Sequence, residues 1–261
     1  MAQYDNNTYA RPGTATRSGA DVDQGLRSYM LGVYNYMSAG VALTGGVAYG
    51  MYMLTTTTDK TLAAATLKNG IMLTELGKTL YMSPIQWVLM LAPLGIVLYL
   101  GIRSHKMSAS YAQGVFWLYA AAVGASISFI LLKYTGMSIA RTFFISAAAF
   151  AGLSAYGYTT KRDISGWGAF LVMGLIGVIL ASILQIFIQS SALQFALSVV
   201  GLLIFAGFTA YDTQQIKDDY YTSSGYGVEA LAKSSIFGAL SLYQDFLGIF
   251  MNLLSLTGDR E

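Results

Sequence analysis

The chain alternates long apolar stretches with short polar ones, and this pattern predicts a multi-pass membrane protein. Seven of the stretches are long enough to cross a bilayer as a helix, which takes about 20 residues. They are residues 29–54, 84–102, 114–132, 138–158, 167–188, 192–211 and 236–256. The sequence therefore predicts an all-α integral membrane protein with seven transmembrane helices.

Two polar regions lie outside these stretches. Residues 1–25 are rich in Thr, Asn, Asp and Gly and have no hydrophobic periodicity, so we expect a disordered tail that is retained. Residues 61–83 carry Lys68, Glu75 and Lys78 among apolar residues, a pattern that favours a helix lying on the membrane surface. The predicted organisation is a tail, residues 1–25, followed by one membrane domain, residues 26–261.

The composition supports this prediction and excludes several function classes. Hydrophobic residues make up 55% of the 261 residues and charged residues 11%, whereas soluble domains carry about 25% charged residues. A net charge of +2 without a basic cluster gives no indication of nucleic-acid binding. Cys is absent and His105 is the single histidine, which argues against Cys or multi-His zinc sites and against Ser-His-Asp catalysis. We therefore expect neither an enzyme nor a bound cofactor.

The distribution of basic residues predicts the orientation in the membrane. With a cytoplasmic N-terminus, the cytoplasmic segments hold most of the 15 Lys and Arg residues. This bias follows the positive-inside rule and favours an N-terminus in the cytoplasm.

Two carboxylates lie where the sequence otherwise indicates membrane. Asp212 directly follows residues 192–211, and Asp245 lies within residues 236–256. An ionisable group at membrane depth costs about 2.5–3.5 kcal/mol on insertion scales, so each is a functional-site candidate. Because the two spans are consecutive, their lengths allow the carboxylates to pair but do not require it.

A pair of this kind would respond to pH. In a site shielded from water the two carboxyls would share one proton and titrate as a unit. When the pair is protonated, one hydrogen bond between the carboxyls joins the two helices. When it is deprotonated, two anions repel each other and need an Arg side chain or a metal ion between them. Carboxylate oxygens are hard ligands, which suit Ca²⁺. Arg103, after the second span, could supply that counter-charge or simply anchor the helix at the interface. The alternative for Asp212 and Asp245 is that each separately meets backbone donors or an interfacial lysine.

Three segments resemble motifs of the Bax inhibitor family, in its bacterial YccA-like branch. Residues 205–217 (FAGFTAYDTQQIK) are similar to its sixth-helix motif, and residues 239–254 (ALSLYQDFLGIFMNLL) to its seventh. Residues 150–163 (FAGLSAYGYTTKRD) are similar to the end of its fourth helix. The resemblance extends in order over about residues 27–256, and it implies seven helices with the C-terminal helix in the centre of the bundle.

The resemblance also implies a function. It implies a pH-dependent Ca²⁺ leak through the membrane in which Asp212 and Asp245 are the pH sensor and Ca²⁺ site. Arg103 matches, by context, an arginine that is an alternative partner of the carboxylates. The expected partners are the lipid bilayer, Ca²⁺ and protons, and the expected location is a bacterial inner membrane. Neither the residues nor the resemblance indicates an oligomeric state.

Two other functions compete with the leak channel. The resemblance also suggests a non-conducting regulator that binds a membrane protease or another stress-response partner. Family members can carry an acid in the second helix near the pore, and its absence from residues 87–96 favours this alternative. An intramembrane aspartyl protease is disfavoured, because it needs a Gly-x-Gly-Asp sequence and Leu-Tyr-Gln precedes Asp245.

Overall fold

The computed structural model describes residues 19–67 and 69–259, which form eight α-helices and one small sheet. The helices are α1 (Gly19–Thr55), α2 (Glu75–Met82), α3 (Ile85–Arg103), α4 (Ala109–Ile127), α5 (Gly136–Thr159), α6 (Trp167–Ile188), α7 (Ser191–Ser223) and α8 (Val228–Thr257). The strands β1 (Thr56–Thr57), β2 (Ala65–Thr66) and β3 (Met72–Leu73) pair antiparallel in the order β1–β3–β2.

Six of the described helices are long and apolar enough to cross a membrane: α3, α4, α5, α6, α7 and α8. They correspond to the last six predicted spans, and an all-α multi-pass membrane protein is therefore the observed class. The first predicted span lies in α1, which has the length but is not among the six. Gly, Ser, Thr and Tyr residues interrupt its apolar residues.

The C-terminal helix α8 lies in the centre of the bundle. It packs against α7, α1, α5 and α4. About 61% of its apolar stretch is buried inside the protein, against 6% for α3 and for α6, which lie at the periphery. Tyr243, Leu242, Ile249 and Leu254 of α8 are almost completely buried.

Close contacts at glycines set the register of the antiparallel α7–α8 pair. Gly248 of α8 packs directly on the ring of Phe205, and a Cβ added at Gly201 of α7 would lie 2.6 Å from the Oδ1 atom of Asn252. A third glycine of α8, Gly238, packs on Ile216. Counted from these contacts, residue 241 lies level with residue 212, and residue 245 lies one turn further along α8.

The structure corrects two predictions about the polar regions. Residues 61–83 are not a single surface helix, because they contain β2 and β3 and only their last part forms α2. Thr74 caps the start of α2 at Glu75, because its side chain accepts a hydrogen bond from the Gly77 backbone N–H. The predicted tail, residues 1–25, is too long, because α1 already begins at Gly19. Residues 1–18 lie outside the described residues.

Candidate functional site

Asp245 lies near the middle of α8, in the centre of the bundle. Its side chain is 4% exposed, and its Oδ2 atom has no hydrogen-bond partner within the described protein. A buried polar atom without a partner costs about 1–3 kcal/mol, and more when the group is charged. Such a group is retained against a stability cost, which makes it a candidate for function.

Asp212 faces Asp245 from α7. Its side chain is half-buried, and the groups of α8 with which it interacts are the hydroxyl of Ser241 and the carboxyl of Asp245. Ser241 and Asp245 lie one turn apart on the same face of α8. The site therefore consists of two carboxyl groups and one hydroxyl at the α7–α8 interface.

Ser241 was not singled out by the sequence interpretation. Serines are frequent in membrane helices, where they let neighbouring helices approach closely, so a single one carries little signal. The available signal was its spacing, because a serine four residues before a membrane-embedded aspartate lies on the same helix face.

Hydrogen bonds to α1 and α4 set the rotation of α8 about its axis. The hydroxyls of Tyr243 and Thr44 lie 2.6 Å apart, and Thr44 also donates to the Ala120 carbonyl of α4. The adjacent Gln244 donates to the Tyr119 hydroxyl of α4. Residues two apart in a helix point in nearly opposite directions, so holding Tyr243 towards α1 and α4 turns Asp245 towards α7.

A chain of hydroxyl groups joins three helices beside Asp212. The Tyr34 hydroxyl of α1 lies 2.6 Å from the Ser154 hydroxyl of α5, which lies 2.9 Å from the Thr213 hydroxyl of α7. Thr213 in turn donates to the Thr209 carbonyl at 2.7 Å. This chain positions the segment of α7 that carries Asp212.

The structure places Arg103, the third candidate residue, away from the carboxyl pair. Arg103 lies at the exposed end of α3, with its guanidinium 5.9 Å from the centre of the Tyr99 ring. No ion pair joins Arg103 to either aspartate within residues 19–67 and 69–259; the salt bridge found there is Arg141 with Asp259, at 3.4 Å.

The site offers few ligands for a cation. No group of three or more His, Asp or Glu side chains suited to a metal ion occurs in the described part of the chain. A cation at the pair would be held by the two carboxyl groups and the Ser241 hydroxyl, and would take its remaining oxygens from water or backbone carbonyls. These three groups supply fewer oxygens than the roughly six to eight that Ca²⁺ takes in proteins.

Two exposed acids in the loops have hydrogen-bond partners in their own turns. Hydrogen bonds from the side chain and backbone N–H of Ser165 hold the pKa of Asp163 below its usual value. The backbone N–H and the hydroxyl of Thr61 likewise lower the pKa of Asp59. These exposed carboxylates are satisfied by their own turns.

Comparison with known proteins assigns the chain a family. A family model described as inhibitor of apoptosis-promoting Bax1 matches residues 26–261. An uncharacterized protein of Caulobacter vibrioides is 41% identical over 256 residues, 98% of this chain and 98% of the relative. The inner membrane protein YbhL of Escherichia coli is 39% identical over 237 residues, 91% of this chain and 94% of the relative.

Proposed function

Because the chain belongs to the Bax inhibitor family, we propose that it is a pH-sensitive cation leak channel for Ca²⁺, gated by Asp212 and Asp245. It is a multi-pass protein of the bacterial inner membrane. The observation that carries the proposal is the placement of the unpartnered, buried Asp245 carboxyl beside Asp212, at the interface of the central helix with α7.

We call the Asp212–Asp245 pair the latch, and its charge determines whether α7 and α8 are held together. While the carboxyls share a proton, one hydrogen bond holds α7 and α8 together at this level. Loss of that proton leaves two anions in a site of low dielectric constant, where repulsion is strong unless a cation enters. Flux is therefore expected to rise from pH 6 to pH 8. In the deprotonated state Arg103 is the proposed protein counter-charge, which requires α3 to move relative to α8.

We further propose that α1 also spans the membrane, which brings the total to seven spans, and that its N-terminal end lies in the cytoplasm. Its contacts with α8 extend along both helices: Tyr29 bonds the Ser234 hydroxyl near one end, and Thr44 bonds Tyr243 further along. A helix parallel to α8 over this length crosses the membrane with it. Its polar residue Thr44 is buried and bonds α8 and α4 rather than facing lipid, which offsets part of its lower hydropathy.

Ca²⁺ flux into liposomes tests the channel. The purified full chain is reconstituted with an enclosed Ca²⁺ indicator, and flux is measured from pH 6 to pH 8 for the wild type, Asp212→Asn and Asp245→Asn. Each single variant is expected to flatten the pH dependence. Asp218→Asn is the matched control, because Asp218 is an exposed acid of α7, and it should retain the wild-type profile. Absence of flux at every pH, or wild-type profiles in both variants, would overturn the proposal.

A second candidate function is a non-conducting regulator that binds a membrane protease or another stress-response partner. The observation that favours it is α3, which has no acidic residue over Ile85–Arg103 and so no carboxylate to attract a cation. This function predicts no flux in the same assay. Crosslinking from the exposed face of α3 in native membranes would then identify the partner.

A further inference from the structure

An apolar groove runs along the outside of the bundle between α1 and α5. It consists of three connected cavities of about 560, 390 and 180 Å³. The first two share Tyr34 and Phe150, and the second and third share Gly45 and Phe246. On α1 the cavities extend from Arg27 to Tyr49, about 33 Å at about 1.5 Å per residue. This length is comparable to the hydrocarbon thickness of a bilayer, about 30 Å.

The bed of the groove is aromatic and rigid. Phe246 of α8 makes edge-to-face contacts with Phe143 and Phe150 of α5, with ring centres 5.5 and 5.8 Å apart. The walls combine large apolar residues such as Met37 with small ones such as Ala42 of α1 and Ala147 and Ala151 of α5. A narrow apolar trough of this kind fits an extended hydrocarbon chain.

A second protein helix does not fit this groove. The Tyr34 and Ser154 hydroxyls, 2.6 Å apart, bridge α1 and α5 across it. An α-helix with its side chains is about 10–12 Å wide, so it would have to break this bridge to reach the bed. An acyl chain is thin enough to lie beside the bridge.

Basic residues surround one end of the groove. Arg27 lines the largest cavity, opposite Tyr158 at the end of α5. The ammonium of Lys217 lies 5.5 Å from the centre of the Tyr158 ring and donates to the Tyr158 carbonyl. Lys161 and Arg162 follow in the exposed turn after α5. Positive charge at the mouth of an apolar trough is complementary to an amphiphile with an anionic head.

We infer that the groove between α1 and α5 binds an anionic phospholipid, with an acyl chain along the Phe150–Phe246 bed and its phosphate at Arg27. The site is separate from the carboxyl pair. The hydroxyls of Tyr34, Ser154 and Thr213 nevertheless connect its bed to the α7 segment that carries Asp212.

Native mass spectrometry of the full chain in detergent tests this inference. The protein is titrated with phosphatidylglycerol and with phosphatidylcholine that carry the same acyl chains. We expect the wild type to bind phosphatidylglycerol at least about fivefold more tightly, because each basic residue near the headgroup contributes about 1 kcal/mol, which is about fivefold. Arg27→Gln should lower this preference about fivefold, and Arg27→Lys should keep it. Ala151→Phe, which fills the trough, should reduce the binding of both lipids.

Matched controls separate this groove from the rest of the surface. Lys106→Gln removes an exposed positive charge beyond α3, and Ala169→Phe enlarges an exposed position on α6; both should bind as the wild type does. Equal binding of the two lipids by the wild type would overturn the headgroup assignment. Undiminished binding by Ala151→Phe would overturn the location. Neither outcome affects the flux assay of the carboxyl pair.

Discussion

The hydroxyl of Ser241 in α8 interacts with the carboxyl of Asp212 in α7, one turn before Asp245 on the same helix. One helix therefore presents both a hydrogen-bond donor and a second carboxyl group to the same acid. A hydroxyl donor stabilises a neighbouring carboxylate, whereas a second carboxylate repels it. If the proposed latch operates, Ser241 and Asp245 together set the pH range over which it opens.

Replacing Ser241 is expected to shift that pH range. Ser241→Ala removes the donor, so the Asp212 carboxylate is less favoured and the midpoint of the flux profile should move to higher pH. Ser241→Thr keeps the hydroxyl and should keep the midpoint near that of the wild type. Liposome flux from pH 6 to pH 8 measures both. Identical profiles for the Ala and Thr variants would show that this hydrogen bond does not influence the latch.

Adding a methyl group at Gly248 is expected to destabilise the α7–α8 pair. The new Cβ would overlap the Phe205 ring, and overpacking of this kind costs about 1–3 kcal/mol. Thermal unfolding in detergent should therefore give a lower midpoint for Gly248→Ala. Gly152→Ala is the control, because a Cβ at Gly152 of α5 meets nothing within 4 Å.

A second substitution at the same contact shows whether Gly248→Ala destabilises the protein by steric overlap with Phe205 or because α8 tolerates no substitution at this position. The double variant Phe205→Ala, Gly248→Ala should be less destabilised than the sum of its two single variants, because the ring that the methyl group meets is gone. Strict additivity would contradict the packing explanation.

Removing the Tyr243 hydroxyl is expected to weaken the attachment of α8 to α1. Tyr243→Phe deletes one partner of Thr44, whose single hydroxyl hydrogen can still be donated to the Gly40 or the Ala120 carbonyl. The cost is then that of one lost hydrogen bond, about 0.5–1.5 kcal/mol, without an orphaned buried group. Denaturant titration measures it, with Tyr226→Phe as the control because Tyr226 is 81% exposed.

Asp163 should contribute stability that depends on pH. Its pKa is lowered in the folded protein by hydrogen bonds from Ser165, so the contribution is complete above the unfolded value, near pH 4, and is lost as pH falls through the folded value. The difference in unfolding midpoint between wild type and Asp163→Ala should be present at pH 7 and shrink below about pH 4. Ser165→Ala keeps the backbone donor and should lose only part of the effect. A difference that does not change with pH would contradict this account.

Hydrophobicity predicted the peripheral helices well and the ends of the central ones poorly. The predicted span of residues 167–188 coincides with α6, because that helix faces outwards along its length and is bounded by polar turns. In contrast, α7 continues to Ser223, well past the apolar stretch. Ile216 and Tyr220 keep one side of this extension buried, so the helix persists where the apolar run ends.

Part of the candidate site could be predicted from the sequence. Asp212 and Asp245 could be singled out because a charge in an apolar helix is rare and costly. Ser241 is neutral and common, and its role depends on which α8 residue lies level with Asp212, a register set by contacts such as Gly248 on Phe205. Arg103 could be proposed from its place in the chain, but its position relative to α8 depends on how α3 packs at the periphery. Strands as short as β1, β2 and β3 have no alternation to detect.

The centre of this bundle is synthesised after the helices that surround it. A ribosome translates α1 to α7 before α8, so the hydroxyls of Tyr29 and Thr44, which bond α8 in the finished protein, leave the translocon without those partners. The early helices must be held together by lipid, by one another or by an insertion factor until α8 arrives. Maturation of the whole domain is thus coupled to the insertion of this one segment, and a nascent chain arrested before it would be a substrate for membrane quality control.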